Sequence, residues 1–370
     1  MEKIENSLNL NSKFKITETM AIDTLAKASD KKIYNLAAGD PNLDIQECIK
    51  KAYLNVDLNK THQYCGSQGL LKLREKIYPG HPEEVIISNG SKQLIYMSLR
   101  AVTEPGDEVV LIGPCWPSYM EICNILGVKY KLVVGEDPMY YYAPSARQIY
   151  NAITENTKAI LINNPNNPTG VVYNPGFLEW LLNVALSKKI WVISDEVYSD
   201  LIYEDEDIEE FATLEGVPIA ITINGFSKSC SLTGWRLGYA VACESVINVL
   251  TAIQSQMSGP PNTLIQEIIA DCYDDLEINL KVFRDRVNML AFDNNFNMHK
   301  PFGGFYFYMP IPDKWKDSKE FCDYMRDTHS IFMTPGDGYG APRTVRISIA
   351  NIKIPDLDSI LDILFKNFKN

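Results

Sequence analysis

Between residues 85 and 241 the sequence alternates short apolar runs with longer amphipathic segments. The apolar runs are rich in β-branched residues, which favour strands, and the segments between them have the spacing of helices that bury one face. The predicted strands are 85–88, 109–112, 129–134, 159–163, 190–194, 219–223 and 239–241, with helices at 91–102, 118–126 and 176–187. This alternation predicts an α/β fold: a mainly parallel seven-stranded sheet flanked by helices.

Toward the C-terminus the pattern changes. Residues 244–290 have helical spacing with a break at Pro260 and Pro261. Aromatic strands are predicted at 305–309 and 345–349, with helices near 317–327 and 356–368, and one more helix near 18–29. We therefore expect a large domain of residues 40–285 and a smaller α+β domain formed by residues 1–39 together with 286–370.

Composition excludes several classes of protein. The 370 residues carry a formal net charge of −12, which argues against a nucleic-acid or anionic-membrane surface. The eight cysteines form no CxxC pair, so a zinc cluster is not expected and a reducing compartment is favoured. No apolar signal core and no window of 18 apolar residues is present, which predicts a cytoplasmic protein without a membrane span.

Common catalytic fingerprints are missing from the sequence. No GxGxxG follows a predicted strand, and the P-loop, GxSxG and HExxH motifs are absent. What remains is a spaced set of charged residues: Asp195 directly after one buried strand, Lys228 after the next, and Arg236 eight residues later. Ligands of open α/β sheets bind at the carboxyl ends of the strands, so these three side chains can converge on one ligand. Taken singly, each also has an ordinary explanation as a helix cap, a surface lysine or an ion-pair partner.

Three runs around these residues carry a family resemblance. They are Asn163–Gly170 (NNPNNPTG), Ser194–Tyr198 (SDEVY), and Ser227-Lys228 followed by Gly234–Gly238 (GWRLG). In this order they resemble the fold-type I aminotransferases of class I/II, which use pyridoxal 5'-phosphate. The bacterial aspartate and aromatic aminotransferases of the γ subgroup are the most similar. The resemblance extends from about Lys15 nearly to the C-terminus.

The resemblance implies roles for individual residues. Lys228 would carry the cofactor and shuttle a proton, Asp195 would pair with the ring nitrogen, and Tyr198 would hydrogen-bond the ring oxygen. The implied catalytic residues are thus Lys228, Asp195 and Tyr198. The implied cofactor-binding residues are Tyr64, Gly90, Ser91, Trp116, Asn167, Asp195, Tyr198, Ser227, Lys228 and Arg236. In this set Ser91 opens a helix whose free N–H groups favour a phosphate, and Trp116 would stack on the ring.

Substrate contacts follow from the same resemblance. Arg346 resembles the arginine that binds the α-carboxylate, and Gly39 the backbone position that faces it. Lys92 lies where γ-subgroup enzymes place a lysine for a distal carboxylate. The implied substrate-binding residues are Gly39, Lys92, Trp116, Asn167 and Arg346. Tyr64 resembles the tyrosine that reaches the phosphate of a neighbouring subunit, which implies a homodimer with shared sites.

The implied function is transfer of an amino group between an L-amino acid and a 2-oxo acid. An acidic or aromatic donor is expected, with glutamate and 2-oxoglutarate in one half-reaction. A carbon–sulfur lyase or an aminocyclopropane-forming lyase on the same fold is an alternative, and a non-catalytic regulator is a second one. One departure from the family pattern is a shortened segment at residues 74–83, which puts ordinary aspartate specificity in question.

Overall fold

The structure, a computed structural model, describes residues 33–203, 213–291 and 300–368. The helix predicted near 18–29 lies outside this part of the chain. The strands are β1 (Tyr34–Asn35), β2 (Val85–Ser88), β3 (Glu108–Ile112), β4 (Lys129–Val133), β5 (Thr157–Asn163), β6 (Trp191–Asp195), β7 (Ala220–Gly225), β8 (Gly238–Val241), β9 (Tyr306–Pro310), β10 (Ile331–Phe332), β11 (Thr334–Pro335) and β12 (Thr344–Ser348).

The longer helices of the described residues surround these strands. They are α1 (Glu47–Asn55), α2 (Leu58–Thr61), α3 (Leu71–Ile77), α4 (Ser91–Val102), α5 (Ser118–Leu126), α6 (Ala146–Ala152), α7 (Pro175–Lys188), α8 (Glu244–Met257), α9 (Thr263–Cys272), α10 (Leu280–Ala291), α11 (Ser318–His329) and α12 (Ile354–Phe368). The break predicted at Pro260 and Pro261 separates α8 from α9. Among the described residues, none of the helices has the length and apolar character needed to cross a membrane.

A seven-stranded sheet in the order β2-β8-β7-β6-β5-β3-β4 forms the centre of the molecule. Only β8 runs against its neighbours, pairing antiparallel with both β2 and β7, while the other pairs are parallel. The prediction of a mainly parallel seven-stranded sheet is therefore confirmed. Since six strands point the same way, their carboxyl ends lie at one edge of the sheet, where connecting loops can form a site.

Apolar side chains on the two faces of the sheet bury against helices. On one face, Leu94 of α4 and Leu250 of α8 pack against Leu111 and Ile193 of the strands. The opposite face packs against Leu181 of α7 and other residues. Because the central strands are covered on both sides, their sequences are continuous apolar runs and do not alternate between apolar and polar residues.

A smaller antiparallel sheet, β11-β12-β9, has its own core, and β1 pairs in parallel with β10 beside it. This core includes Phe307 and Val345 of the sheet together with Leu357 of α12. Helix α10 spans the predicted boundary at residues 285 and 286, and its Phe283 and Val287 both belong to the small-sheet core. The division into residues 40–285 and 1–39 plus 286–370 stays a prediction.

Candidate active site

The functional side chains follow strands that end at the same edge of the large sheet. The strand pairing places Asn163, the last residue of β5, beside Asp195, the last residue of β6, with Ile223 of β7 next in line. Lys228 lies on the turn that follows β7. The parallel order of the strands therefore brings together residues that are up to 65 positions apart in the sequence.

A cavity of about 560 Å³ opens at this edge. Eleven of the predicted site residues line it: Gly39, Ser91, Lys92, Trp116, Asn167, Asp195, Tyr198, Ser227, Lys228, Arg236 and Arg346. Gly90 and Tyr64 are not among its lining residues. The segment 74–83 is described throughout, and it does not contribute to the lining either.

Asp195 and Tyr119 form a hydrogen-bonded pair, here called the acid pair, at the wall of the cavity. The hydroxyl of Tyr119 donates to Oδ2 of Asp195 over 2.6 Å, and both residues are buried. Burial raises the pKa of Asp195 to about 6, against the opposing effect of the Tyr119 hydrogen bond. The ring of Tyr119 also meets Trp116 edge-on, with centroids 5.7 Å apart. One tyrosine thus orients both an acid and an aromatic ring of the cavity.

Lys228 directs its amine into the same space. Its Nζ donates to the backbone oxygen of Gly39 over 2.6 Å. Burial lowers the pKa of Lys228 to about 8, and Asp40 opposes this effect. A lysine with a pKa in this range has a substantial neutral fraction near pH 7 to 8, as a nucleophile or a base requires.

Arg346 reaches the cavity from β12 of the small sheet. It is 3% exposed, and its guanidinium lies over the ring of Tyr306 at 4.5 Å. The group donates to Oδ1 of Asn167 over 3.1 Å and to the backbone oxygen of Ala37. Its Nε–H has no hydrogen-bond partner among the described residues. A buried arginine held by neutral oxygens, with a donor to spare, is suited to bind a carboxylate.

The start of helix α4 and the loop after β7 form an anion cradle, defined as Gly90, Ser91, Ser227 and Arg236. No side chain caps the helix, so its first N–H groups remain available to an anion. Gly90 has φ +86, and a Cβ built on it would lie 2.5 Å from Nη2 of Arg236. Only glycine leaves room for the guanidinium at this place, which explains Gly90 although it does not line the cavity.

Two further predicted residues complete the wall. The ammonium of Lys92, in the first turn of α4, lies 4.6 Å from the ring centre of Trp116. Tyr198 is buried, and its hydroxyl is 3.1 Å from that of Tyr306. By contrast, Tyr64 is 92% exposed.

The comparisons with known proteins agree with this geometry. The family described as "Aminotransferase class I and II" matches residues 31–364. The chain belongs to this family. Aspartate aminotransferase of Thermotoga maritima is 32% identical, over 95% of this chain and 96% of that protein. Aspartate/prephenate aminotransferase of Thermus thermophilus is 30% identical, over 85% and 86%. A solved structure of Thermus thermophilus aspartate aminotransferase with maleate has a TM-score of 0.88 at 28% identity, covering 97% of this chain and all of that one.

The chain is therefore an aminotransferase, and this family uses pyridoxal phosphate. The residues present fit that cofactor chemically. The anion cradle offers donors for a phosphate, Asp195 is a buried carboxylate for a basic ring nitrogen, and Lys228 is an amine for an aldehyde. The Nε–H of Arg346, which has no hydrogen-bond partner among the described residues, can donate to the carboxylate of an amino acid. Among the described residues, no group of three His, Cys, Asp or Glu side chains could hold a metal ion.

The lining residues that sequence reasoning missed include Asp40, Tyr119, Thr233 and Tyr306. A signal existed for Tyr119, which lies one helical turn after Trp116 and thus on the same side of the chain. For Tyr306 the sequence offered only a position in a predicted aromatic strand. Its hydroxyl would lie 1.8 Å from a Cβ at Gly39, a contact between residues that no local pattern connects.

Proposed function

We propose that this aminotransferase transfers the amino group of an acidic L-amino acid to a 2-oxo acid, with glutamate and 2-oxoglutarate in one half-reaction. The observation that carries the proposal is the presence of two cationic side chains, Arg346 and Lys92, in the cavity that holds Lys228. A dicarboxylic substrate presents two carboxylates to such a site, so each cation can take one. The similarity to enzymes named aspartate aminotransferases supports the same substrate class.

Binding and orientation come first in the proposed mechanism. Arg346 binds the α-carboxylate through its guanidinium, and the hydrogen bond to Asn167 fixes the plane of that group. Because Arg346 occupies Oδ1 of Asn167, the NH2 of this amide is left to donate into the cavity. Trp116, braced by Tyr119, forms a flat wall against which a planar ring can stack.

Proton transfer falls to Lys228. Pyridoxal phosphate, when bound, withdraws electrons from the bonds at the substrate α-carbon. Lys228, with its pKa lowered to about 8, takes the α-proton at Nζ and holds it for return to the substrate. Asp195 would hold a proton between its carboxylate and the ring nitrogen of the cofactor, and the hydrogen bond from Tyr119 orients that carboxylate. The hydroxyls of Tyr198 and Tyr306 are further donors in the same cavity.

Lys92→Ala tests the substrate class. We expect kcat/KM for aspartate and glutamate to fall about tenfold to a hundredfold, the value of one lost charge-assisted contact, with a much smaller change for phenylalanine and tyrosine. Single-turnover absorbance changes with a panel of amino acids, with 2-oxoglutarate as acceptor in the full reaction, measure both. Lys129→Ala, an exposed lysine on β4, is the control.

Equal losses for acidic and aromatic donors would remove Lys92 from substrate recognition. Release of pyruvate or ammonia without an acceptor would instead indicate lyase chemistry. Lys228→Ala checks the catalytic assignment separately, since this variant is expected to form no borohydride-reducible adduct with the cofactor.

The aminotransferase is also proposed to act as a homodimer. Five large apolar side chains between residues 53 and 71 are exposed, and a concentration of exposed apolar side chains is typical of an interaction surface. They are Tyr53, Leu54, Leu58, Tyr64 and Leu71, between 52% and 92% exposed. In this arrangement Tyr64 would reach the phosphate site of the second subunit. Sedimentation equilibrium is expected to give the mass of two chains, and a fully active monomer would contradict the proposal.

A further inference from the structure

Residues 37–40, here called the crossing segment, run from the small sheet to the cavity and are fixed there at three points. Arg346 donates to the backbone oxygen of Ala37, and Lys228 to that of Gly39. The third contact involves a side chain: the hydroxyl of Thr233 donates to Oδ1 of Asp40 over 2.5 Å. Thr233 lies five residues after Lys228 on the same loop, so Asp40 is attached to the element that carries the amine.

The crossing segment has little freedom to move away from this position. A Cβ at Gly39 would lie 1.8 Å from the hydroxyl of Tyr306, so the backbone passes directly against that ring. On the other side Thr233 is itself held, because Arg236 donates to its backbone oxygen over 2.9 Å. The carboxylate of Asp40 is therefore kept at the cavity wall, which it lines together with Lys228.

Charged groups from several elements face Lys228. Arg236 and Arg346 disfavour a proton on its amine, while Asp40 and Asp195 favour one. Lys92 and the hydroxyls of Tyr198 and Tyr306 line the same cavity. Of the two carboxylates, Asp195 is already engaged by Tyr119, and Asp40 exerts the larger effect on Lys228. Asp40 is thus the main counter-charge to two guanidinium groups.

We propose that Asp40 is a positioning residue for Lys228: held by Thr233, its carboxylate is the counter-ion that stabilises the protonated amine between proton uptake and proton return. The inference rests on the proposed role of Lys228. When Lys228 takes a proton it becomes a third positive charge beside Arg236 and Arg346, and a fixed carboxylate offsets the repulsion. The role needs the charge of Asp40, and Thr233 supplies only its location.

The charge of Asp40 and its attachment to Thr233 can be removed in separate variants. In Asp40→Asn the Thr233 hydroxyl keeps an acceptor and the carboxylate is lost. In Thr233→Val the carboxylate remains and its attachment is lost, and Asp40→Glu restores the charge on a longer stem. The holoenzyme of each variant is titrated between pH 5 and 9.5 by its visible absorbance, which reports the protonation of the Lys228 nitrogen, and the pH profile of kcat/KM is recorded alongside.

For Asp40→Asn we expect both the absorbance midpoint and the acid limb of the pH profile to move down by about one pH unit, the usual effect of losing a nearby opposite charge. Thr233→Val should show less than half of this shift, and Asp40→Glu should return the midpoint toward that of the wild type. Equal shifts in Asp40→Asn and Thr233→Val, or no shift in either, would overturn the inference in favour of a purely structural contact.

The proposed function and this inference fail in different ways. A Lys228→Ala protein that still shows the pH-dependent absorbance change would overturn the role of Lys228, and the inference with it. If Lys228→Ala loses the change while Asp40→Asn keeps the wild-type midpoint, only the role of Asp40 is wrong.

Discussion

The anion cradle and the acid pair serve one cavity but are built in opposite ways. The cradle uses helix N–H groups, a glycine at φ +86 and an exposed arginine. Its geometry depends on the absence of a capping side chain at the helix start and of a Cβ at Gly90. The acid pair is a contact between two buried side chains, so its geometry depends on the hydroxyl of Tyr119 and the carboxylate of Asp195. Added bulk should therefore damage the cradle, and removed hydrogen-bonding groups should damage the acid pair.

The same contrast separates effects on ligands from effects on folding. Arg236, the charged group of the cradle, is exposed and can move without exposing the core. The acid pair lies at 3% exposure or below, where an ionised carboxylate is costly even with a donor beside it. Changes in the cradle should thus appear in cofactor affinity, and changes in the acid pair in stability as well.

The largest effect on cofactor affinity is expected for Gly90→Ala. The new methyl group would lie 2.5 Å from Nη2 of Arg236, and that guanidinium is the flexible end of a side chain, so it can move aside. Moving aside takes it away from the phosphate, and the backbone at φ +86 and ψ 161 adds strain of about 1–3 kcal/mol. We expect cofactor affinity to fall about a hundredfold, measured by fluorescence titration of the apoprotein.

Gly80→Ala is the matched control for this change. Gly80 has φ +87, but no atom lies within 4 Å of a Cβ built on it. It should therefore lose stability through backbone strain and keep its cofactor affinity. If the two variants bind the cofactor equally well, displacement of Arg236 is not the cause of the loss and the comparison of the two regions fails.

How far the sequence predicts this molecule depends on whether the relevant contacts are local. The prediction for α5 is correct at both ends, because the helix follows Pro117 and stops at Gly127, which has φ +69. Helices α1, α2, α3 and α6 were not predicted: they are four to nine residues long, and none of them ends at a glycine as α5 does.

The same distinction applies to the site. Motif residues such as Asp195, Lys228 and Arg236 are recognisable because each lies in a run of characteristic neighbours. Their partners are not: Tyr119 lies 76 residues from Asp195, and Asp40 lies 193 residues from Thr233. The strand order of the large sheet and the path of the crossing segment, residues 37–40, bring such pairs together. The sequence therefore predicts which groups react, while the structure is needed to say what holds them.

The acid pair gives a second prediction, which concerns stability rather than cofactor affinity. Burial raises the pKa of Asp195 to about 6 from 3.8, so between these pH values the folded apoprotein holds a proton that the unfolded chain has lost. Stability from this group must then fall as pH rises through that window, with the full cost of about 3 kcal/mol present above pH 6. Asp195→Asn cannot ionise, so its apoprotein should be more stable than the wild type by about 3 kcal/mol at pH 8 and by about half as much at pH 5.

Urea unfolding of both apoproteins at several pH values measures the difference. Tyr119→Phe is the companion variant: it removes a donor to the charged carboxylate, so it should cost about 1.5–3 kcal/mol at pH 8 and less at pH 5. A difference between wild type and Asp195→Asn that does not change with pH would show that Asp195 is not a buried, costly acid. In that case the two ends of the cavity would differ in shape alone, and the acid pair would owe its geometry to packing rather than to the hydrogen bond from Tyr119.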